Sequence, residues 1–261
     1  MRMLRKILIC MMALMLLAAS ASFATAEESD LAYVKEKGKL IIGYTVSKPM
    51  NYTDEDGQFT GFDTELAMAV CELLGLEPEF LEINWETKEV ELAAKAIDCI
   101  WNGLTITDER TANMSITIPY VKNAQVVVMK VGSDYENTAS LAGKTVVAEI
   151  ASAGEDTVKT DAGLKDAIYI GKEVQTACLI EVAAGTADAA VLDLTLASVT
   201  IGEGTDYAQL EIVDSLNVED YGVAFRKGSD LTEEVNKAFQ TLKDNGVLEA
   251  LAEKYGLVLA L

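Results

Sequence analysis

The stretch Ala96-Ile97-Asp98-Cys99-Ile100-Trp101-Asn102-Gly103-Leu104-Thr105-Ile106-Thr107-Asp108-Glu109-Arg110 decides how the chain is read. Its first part crowds Ile97, Cys99, Ile100 and Trp101 together without helical spacing, the pattern of a buried strand. Asn102, Gly103, Thr105, Thr107 and Arg110 follow at once, a dense set of hydrogen-bonding groups just beyond an apolar strand. In open α/β sheets ligands bind beyond the carboxyl ends of the strands.

Outward from that stretch, short β-rich runs alternate with helical ones from Lys39 onward, the pattern of a mainly parallel sheet covered by helices. Residues 39–44 read as a strand. Residues 61–76 read as an amphipathic helix, with Phe62, Leu66, Ala69, Val70 and Leu73 on one face and Gly75 as its stop. A strand over 77–83 and a helix over 87–96 complete a β-α-β-α-β run that ends in Ile97–Trp101. A second series opens at Gln125–Lys130, with strands at 144–150, 167–171 and 187–193 and helices from Ser152 and over 173–185. Two helices, 231–246 and 247–256, close the chain. The expected fold class is α/β in two lobes joined by strand-like crossings, with hinges near Pro119 to Gln125 and Leu216 to Tyr221.

The 261 residues suffice for one large α/β domain or two smaller ones. Arg2, Arg5 and Lys6, the apolar run from Ile7 to Ala19 and the small residues up to Ala24-Thr25-Ala26 describe a secretory signal peptide, cleaved before Glu27. The run is short for a membrane span. Cys10 lies inside it, which argues against a lipid anchor. Cleavage leaves 18 basic against 42 acidic residues, a formal charge of −24 that repels phosphate backbones and excludes nucleic acid as a partner. The chain has no histidine, which removes His-based triads and His metal sites; no metal and no cofactor are expected. Cys71, Cys99 and Cys178 sit among apolar neighbours and read as small buried hydrophobes, with a Cys71–Cys99 bridge as the alternative.

Two segments match across the series. Residues 93–103 and 183–193 each run from a helix end through an Asp into an apolar strand that stops at a polar residue, placing Asn102 to Arg110 and Asp193 at equivalent positions. A third feature is Ser152-x-x-Glu155, a capping box whose free N–H groups and helix dipole favour an anion such as a carboxylate. A free amino acid presents one planar anion and one compact cation a few ångströms apart. A guanidinium fork matches the first and a carboxylate the second.

In order and spacing, GKLIIGY, DEDGQFTGFDTELAMAVCELLG, IDCIWNGLTITDER, ASAGEDTVK, AAGTADAAVLD and YGVAFRKGSDLTEEVNKAF resemble the polar amino-acid-binding proteins of bacterial ABC importers, extracellular solute-binding family 3. The resemblance implies a periplasmic-binding-protein-like type II fold with two crossover strands. Residues 27–122 with 222–261 would form one lobe and 123–221 the other. It implies a monomer outside the cytoplasm that closes on one free amino acid and delivers it to membrane permease subunits. By that resemblance Arg110 grips the α-carboxylate with Thr105 and the backbone of Ser152 and Ala153. Asp193 and the Gly103 carbonyl receive the α-ammonium. Glu149, three residues before Ser152, falls at a pocket-lining position suited to a basic or strongly polar side chain, and Asn102 could face the ligand. Around residues 43–52 the family usually has one more residue and an aromatic lid. Here Ser47, Lys48, Pro49 and Met50 stand instead, with Trp85 and Tyr44 as replacement candidates.

Each residue also has a plainer reading. Arg110 could pair with Asp108 or Glu109, Asp193 could cap the helix at 194–200, and Thr105 and Ser152 could be turn and cap residues. Trp85 could pack over a helix start, and Glu149 could point to solvent. Two other functional classes stay open: a cyclohexadienyl or arogenate dehydratase-like enzyme, with Glu149 as general acid, and an amino-acid sensor module.

Overall fold

In the computed structural model, residues 29–261 are described, and the signal-peptide reading of residues 1–26 lies outside them. A helix α1 (Asp30–Lys37) ends on left-handed Gly38 and delivers the chain into β1 (Lys39–Tyr44). Helix α2 (Phe62–Leu74) follows and stops at Gly75 with φ 63°, as the glycine predicts. Its buried face is Phe62, Leu66, Ala67, Val70 and Cys71. Leu73 instead lies exposed, because the face turns toward Ala67 and Cys71 to meet α8 (Leu231–Asp244). A hairpin of β2 (Tyr52–Thr53) and β3 (Phe59–Thr60), which the sequence reading did not resolve, precedes α2.

Strand β1 lies parallel to both β4 (Glu77–Glu82) and β5 (Cys99–Thr105). The connection between β4 and β5 is a tight turn at Trp85–Thr87 and helix α3 (Lys88–Ala93). After β5 come α4 (Asp108–Asn113), β6 (Met114–Ile116) and the ten-residue β7 (Val121–Lys130). The second series then supplies β8 (Thr145–Glu149), α5 (Ala153–Thr160), β9 (Ile168–Lys172), α6 (Gln175–Ala184), β10 (Ala189–Asp193) and α7 (Leu194–Thr200). The 17-residue β11 (Leu210–Arg226) returns the chain, and α8 and α9 (Val247–Tyr255) finish it.

The strand order β4-β1-β5-β11-β7-β10-β8-β9 makes one continuous sheet, with β6 beside β11. The two long strands tie its halves together. Strand β11 pairs with β5 over Tyr221–Phe225 and with β7 over Leu210–Tyr221, so β7 and β11 run side by side from one lobe to the other. Packing separates accordingly. One apolar cluster joins Val34, Phe62, Trp101, Tyr120, Phe225 and Phe239, and a neighbour joins Ile83, Trp85, Ile100 and Leu104. On the other side, Val126, Cys178, Leu179 and Leu196 form one cluster, and Val127, Val146, Val158 and Val191 another. The strand register shifts between Ser215 and Val218, and Val218 is 81% exposed, so β11 is irregular where it passes between the lobes. Cys71, Cys99 and Cys178 are all free and buried, which leaves the bridge reading without support.

Candidate ligand-binding cleft

The carboxyl ends of β5, β8 and β10 converge on one cavity. Asn102, Gly103, Thr105 and Arg110 reach it from one lobe with Trp85; Glu149, Ser152, Ala153 and Asp193 reach it from the other. Tyr44 does not line it. Its ring packs 4.8 Å from Phe59 and 6.3 Å from Phe80, because the last residue of β1 turns toward the β2–β3 hairpin. Thr45, Val46, Ser47 and Met50 cover that side of the cavity in place of an aromatic lid.

Arg110 sits in the first turn of α4, whose N-cap Thr107 accepts a hydrogen bond from the Arg110 N–H. The cap aims the side chain back toward β5. It is 6% exposed, and its guanidinium donates to the Thr105 carbonyl at 2.8 Å and to the Ala151 carbonyl of the other lobe at 3.2 Å. Neither Asp108 nor Glu109 pairs with it among the described residues. Lys88 reaches the same Ala151 carbonyl at 2.9 Å and lies over the Trp85 ring, 4.7 Å from its centre. Burial, helped by the Arg110 charge, pulls the Lys88 ammonium down to about 8. Nothing in residues 87–91, read from the sequence as the start of a helix, announces a buried lysine.

Gly103 has φ 58°, and a β-carbon there would meet the Tyr221 ring at 3.0 Å, so both conformation and space require glycine. Its N–H donates to buried Asp63 at 2.7 Å, and Asp63 also accepts from Tyr120. Burial pushes the Asp63 carboxyl up to about 7 despite those hydrogen bonds. Asn102 lines the cavity, but its amide is already engaged. Its oxygen accepts from the Thr45 hydroxyl and N–H, and its nitrogen donates to the Thr45 carbonyl and Asn51.

On the facing lobe, Ser152 caps α5 by accepting from the Glu155 N–H, and Glu155 accepts from the Ala151 N–H. The box closes one residue earlier than its usual form, because Ala151 holds a left-handed turn at φ 57°. The first N–H groups of a helix have no acceptor within it, and Ala153 presents this end of α5 to the cavity. Asp193 stands at the N-cap position of α7, but its side chain makes no capping hydrogen bond. Its carboxylate instead accepts from Asn123, Gln125 and Gln175. Glu149, 4% exposed, is not solvent-facing. Burial, reinforced by the nearby Asp193 charge, pushes its carboxyl up to about 8. The sequence reading missed Gln125, Gln175 and Glu219. Gln125 pairs in register with Asp193, and Glu219 with Asn123, so the signal lay in antiparallel pairings that one sequence does not display.

Two α/β lobes on paired crossover strands, with complementary half-sites facing across the cleft, define the class of solute-capturing proteins. The chain belongs to the bacterial extracellular solute-binding proteins, family 3, whose family model matches residues 40–258. The L-cystine-binding protein TcyJ of Escherichia coli (strain K12) is 29% identical over 256 residues, covering 96% of this chain and 95% of its own. The arginine-binding extracellular protein ArtP of Bacillus subtilis (strain 168) is 31% identical over 252 residues, covering 93% and 96%. A crystal structure of an ABC uptake transporter substrate-binding protein from Streptococcus pneumoniae with bound histidine superimposes with a TM-score of 0.80 at 27% identity, covering 88% of this chain and 97% of that one. Proteins of this family work outside the cytoplasm, and among the described residues no helix is long and apolar enough to cross a membrane.

Proposed function

We propose that the protein captures a free amino acid with a cationic side chain between its lobes and hands it to the permease subunits of an ABC importer. Arg110 takes the α-carboxylate with Thr105 and the α5 end at Ser152 and Ala153; Asp193 and the Gly103 carbonyl take the α-ammonium. Glu149 reads the side chain. The observation that carries this reading is the charge set lining one cavity: carboxyls at Glu149 and Asp193 against the single cation of Arg110. A desolvated charge needs a partner. A zwitterion with a neutral side chain leaves one carboxylate over, whereas arginine or lysine supplies the missing cation. The relatives named for arginine and histidine binding fit that class. The cystine-binding relative marks the competitor, since cystine brings a second ammonium.

In this reading residues 27–122 with 222–261 form one moving lobe and 123–221 the other, residues 1–26 are an export signal, and the exported protein works as a monomer. Mass spectrometry of protein purified with its ligand is expected to show an intact basic amino acid; turnover of a prephenate-like substrate would favour an enzyme instead. A ligand-end cycle tests the clamp. Arg110→Ala or Asp193→Ala should each weaken binding by roughly 2–5 kcal/mol. An amino-acid amide should bind wild type poorly yet lose little more on Arg110→Ala, because the interaction is already absent. A deaminated analogue should behave likewise on Asp193→Ala. Equal loss of the amide on both backgrounds would remove Arg110 from the carboxylate role.

A further inference from the structure

Behind Asp193, away from the cavity lining, lies a second carboxylate on the crossover strand. Glu219 accepts from the Thr105 hydroxyl at 2.8 Å, from Asn123 at 2.6 Å and from Gln125 at 2.9 Å. The same two amide nitrogens donate to Asp193, Asn123 at 2.8 Å and Gln125 at 2.5 Å. Each amide thus spends both its protons on the pair. Asp193 Oδ1 and Glu219 Oε1 are therefore no farther apart than two hydrogen bonds laid end to end.

Among the described residues no lysine or arginine pairs with either carboxylate. The charged and titratable groups around them are Tyr221 of β11, whose phenol bonds the Thr195 hydroxyl, Glu149 of β8, and Arg110 and Lys88 of the facing lobe, which are held on the Thr105, Trp85 and Ala151 carbonyls. Lys122 and Asp220 pair with each other on the neighbouring strand positions. Two buried carboxylates this close do not both ionise unaided. Either a proton or a cation must join them.

We propose that Asp193 and Glu219 act as one proton-sharing pair, with Glu219 a positioning residue for the ammonium site, and that the arriving α-ammonium expels the shared proton to water. The ammonium keeps its own protons and offers its N–H bonds to Asp193. The only covalent bond that breaks is the carboxyl O–H, and the leaving proton goes to solvent. The ammonium then holds both carboxylates ionised, while Glu219, sharing Asn123 and Gln125 with Asp193, keeps those amides aimed and through Thr105 ties that state to the other lobe. The inference rests on the amino-acid reading above.

Two measurements test it. In the unliganded wild type, carboxyl carbon NMR should show Asp193 and Glu219 titrating as a linked pair in widely separated steps, the upper one near neutrality, since burial and the Asp193 charge push Glu219 up to about 7. Ordinary carboxylate titration of both residues would overturn the proposal without any ligand. Calorimetry then follows the tightest binder among arginine, lysine, histidine, glutamine and cystine from pH 5.5 to 8.5, in buffers of differing ionisation heat. Glu149 is itself raised and would shed its own proton on meeting a cationic side chain, so the pair is read in the Glu149→Gln background. There the protein should release close to one proton at pH 6, and its affinity should fall about tenfold per pH unit below neutrality. Adding Glu219→Gln, which keeps an acceptor for the amides, should give a flat profile and no release. Release that persists in the double variant, or no release in Glu149→Gln, would overturn the pair. Failure of every amino acid in the panel to bind would instead overturn the functional reading on which it rests.

Discussion

At the scale of single residues, the interior holds several carboxyls away from water, and their protonation governs stability with a definite sign. Asp63 illustrates it. Its carboxyl is raised by burial to about 7, whereas an unfolded aspartate titrates near 3.9. A raised carboxyl contributes stability fully present below the unfolded value and lost as pH climbs through the folded one. Glu149 and Glu219, also raised, act in the same direction, and so does Asp193. The unliganded protein should therefore melt at a higher temperature near pH 5 than near pH 8, opposite to the pH trend expected for ligand affinity. Asp63→Asn can still accept from Gly103 and meet the Tyr120 hydroxyl, so its melting profile should flatten between about pH 4 and 7. Scanning calorimetry across that range decides it: melting temperatures of wild type that rise steadily with pH would show these carboxyls ionised without penalty. Asp63 is buried at the start of α2, yet in the sequence an aspartate in a first turn reads as an ordinary dipole partner.

At the scale of elements, local patterns were legible and pairings were not. The Ser152-x-x-Glu155 signature located the start of α5, Gly75 located the end of α2, and the apolar runs located β1, β5, β8 and β10, because caps and periodicity are properties of neighbouring residues. The Glu219 site depends on β11 lying antiparallel to β7, two segments some ninety positions apart, and no local signal carries that register. Lys88 was illegible for a related reason: its burial is imposed by the other lobe's Ala151. Two element ends carry measurable consequences. Ser152→Ala removes the α5 cap and should destabilise the protein by about 1 kcal/mol while weakening ligand several-fold, a pairing that chemical denaturation and calorimetry can check. Gly103→Ala demands a left-handed alanine against the Tyr221 ring and should cost about 1–3 kcal/mol in folding. If Gly103→Ala binds and melts like wild type, the close approach of β5 to Tyr221 is not part of the working site.

At the scale of the molecule, ligand capture is an equilibrium between lobe arrangements that the crossover strands permit and the cleft contacts bias. Arg110 and Lys88 leave one lobe to meet a single carbonyl on the other, at Ala151. The two contacts differ in what ligand does to them. In the proposed reading Arg110 goes to the α-carboxylate, whereas Lys88 does not line the cavity, so its contact serves closure in either state. Lys88→Met preserves an unbranched apolar stem and removes a buried charge, an exchange that folding tolerates well. A hydrogen bond from a charged donor is worth roughly 1.5–3 kcal/mol, of which the relieved desolvation returns part, so the closed form should weaken by about tenfold. Small-angle scattering should then show wild type contracting on ligand, and unliganded Lys88→Met more expanded than unliganded wild type. Stopped-flow release should be faster in the variant by about the same factor, with the association rate little changed. Above about pH 8 wild type should approach the variant, because the Lys88 ammonium loses its proton there. Equal scattering and equal release in the two proteins would mean that the Ala151 contact follows closure without holding it.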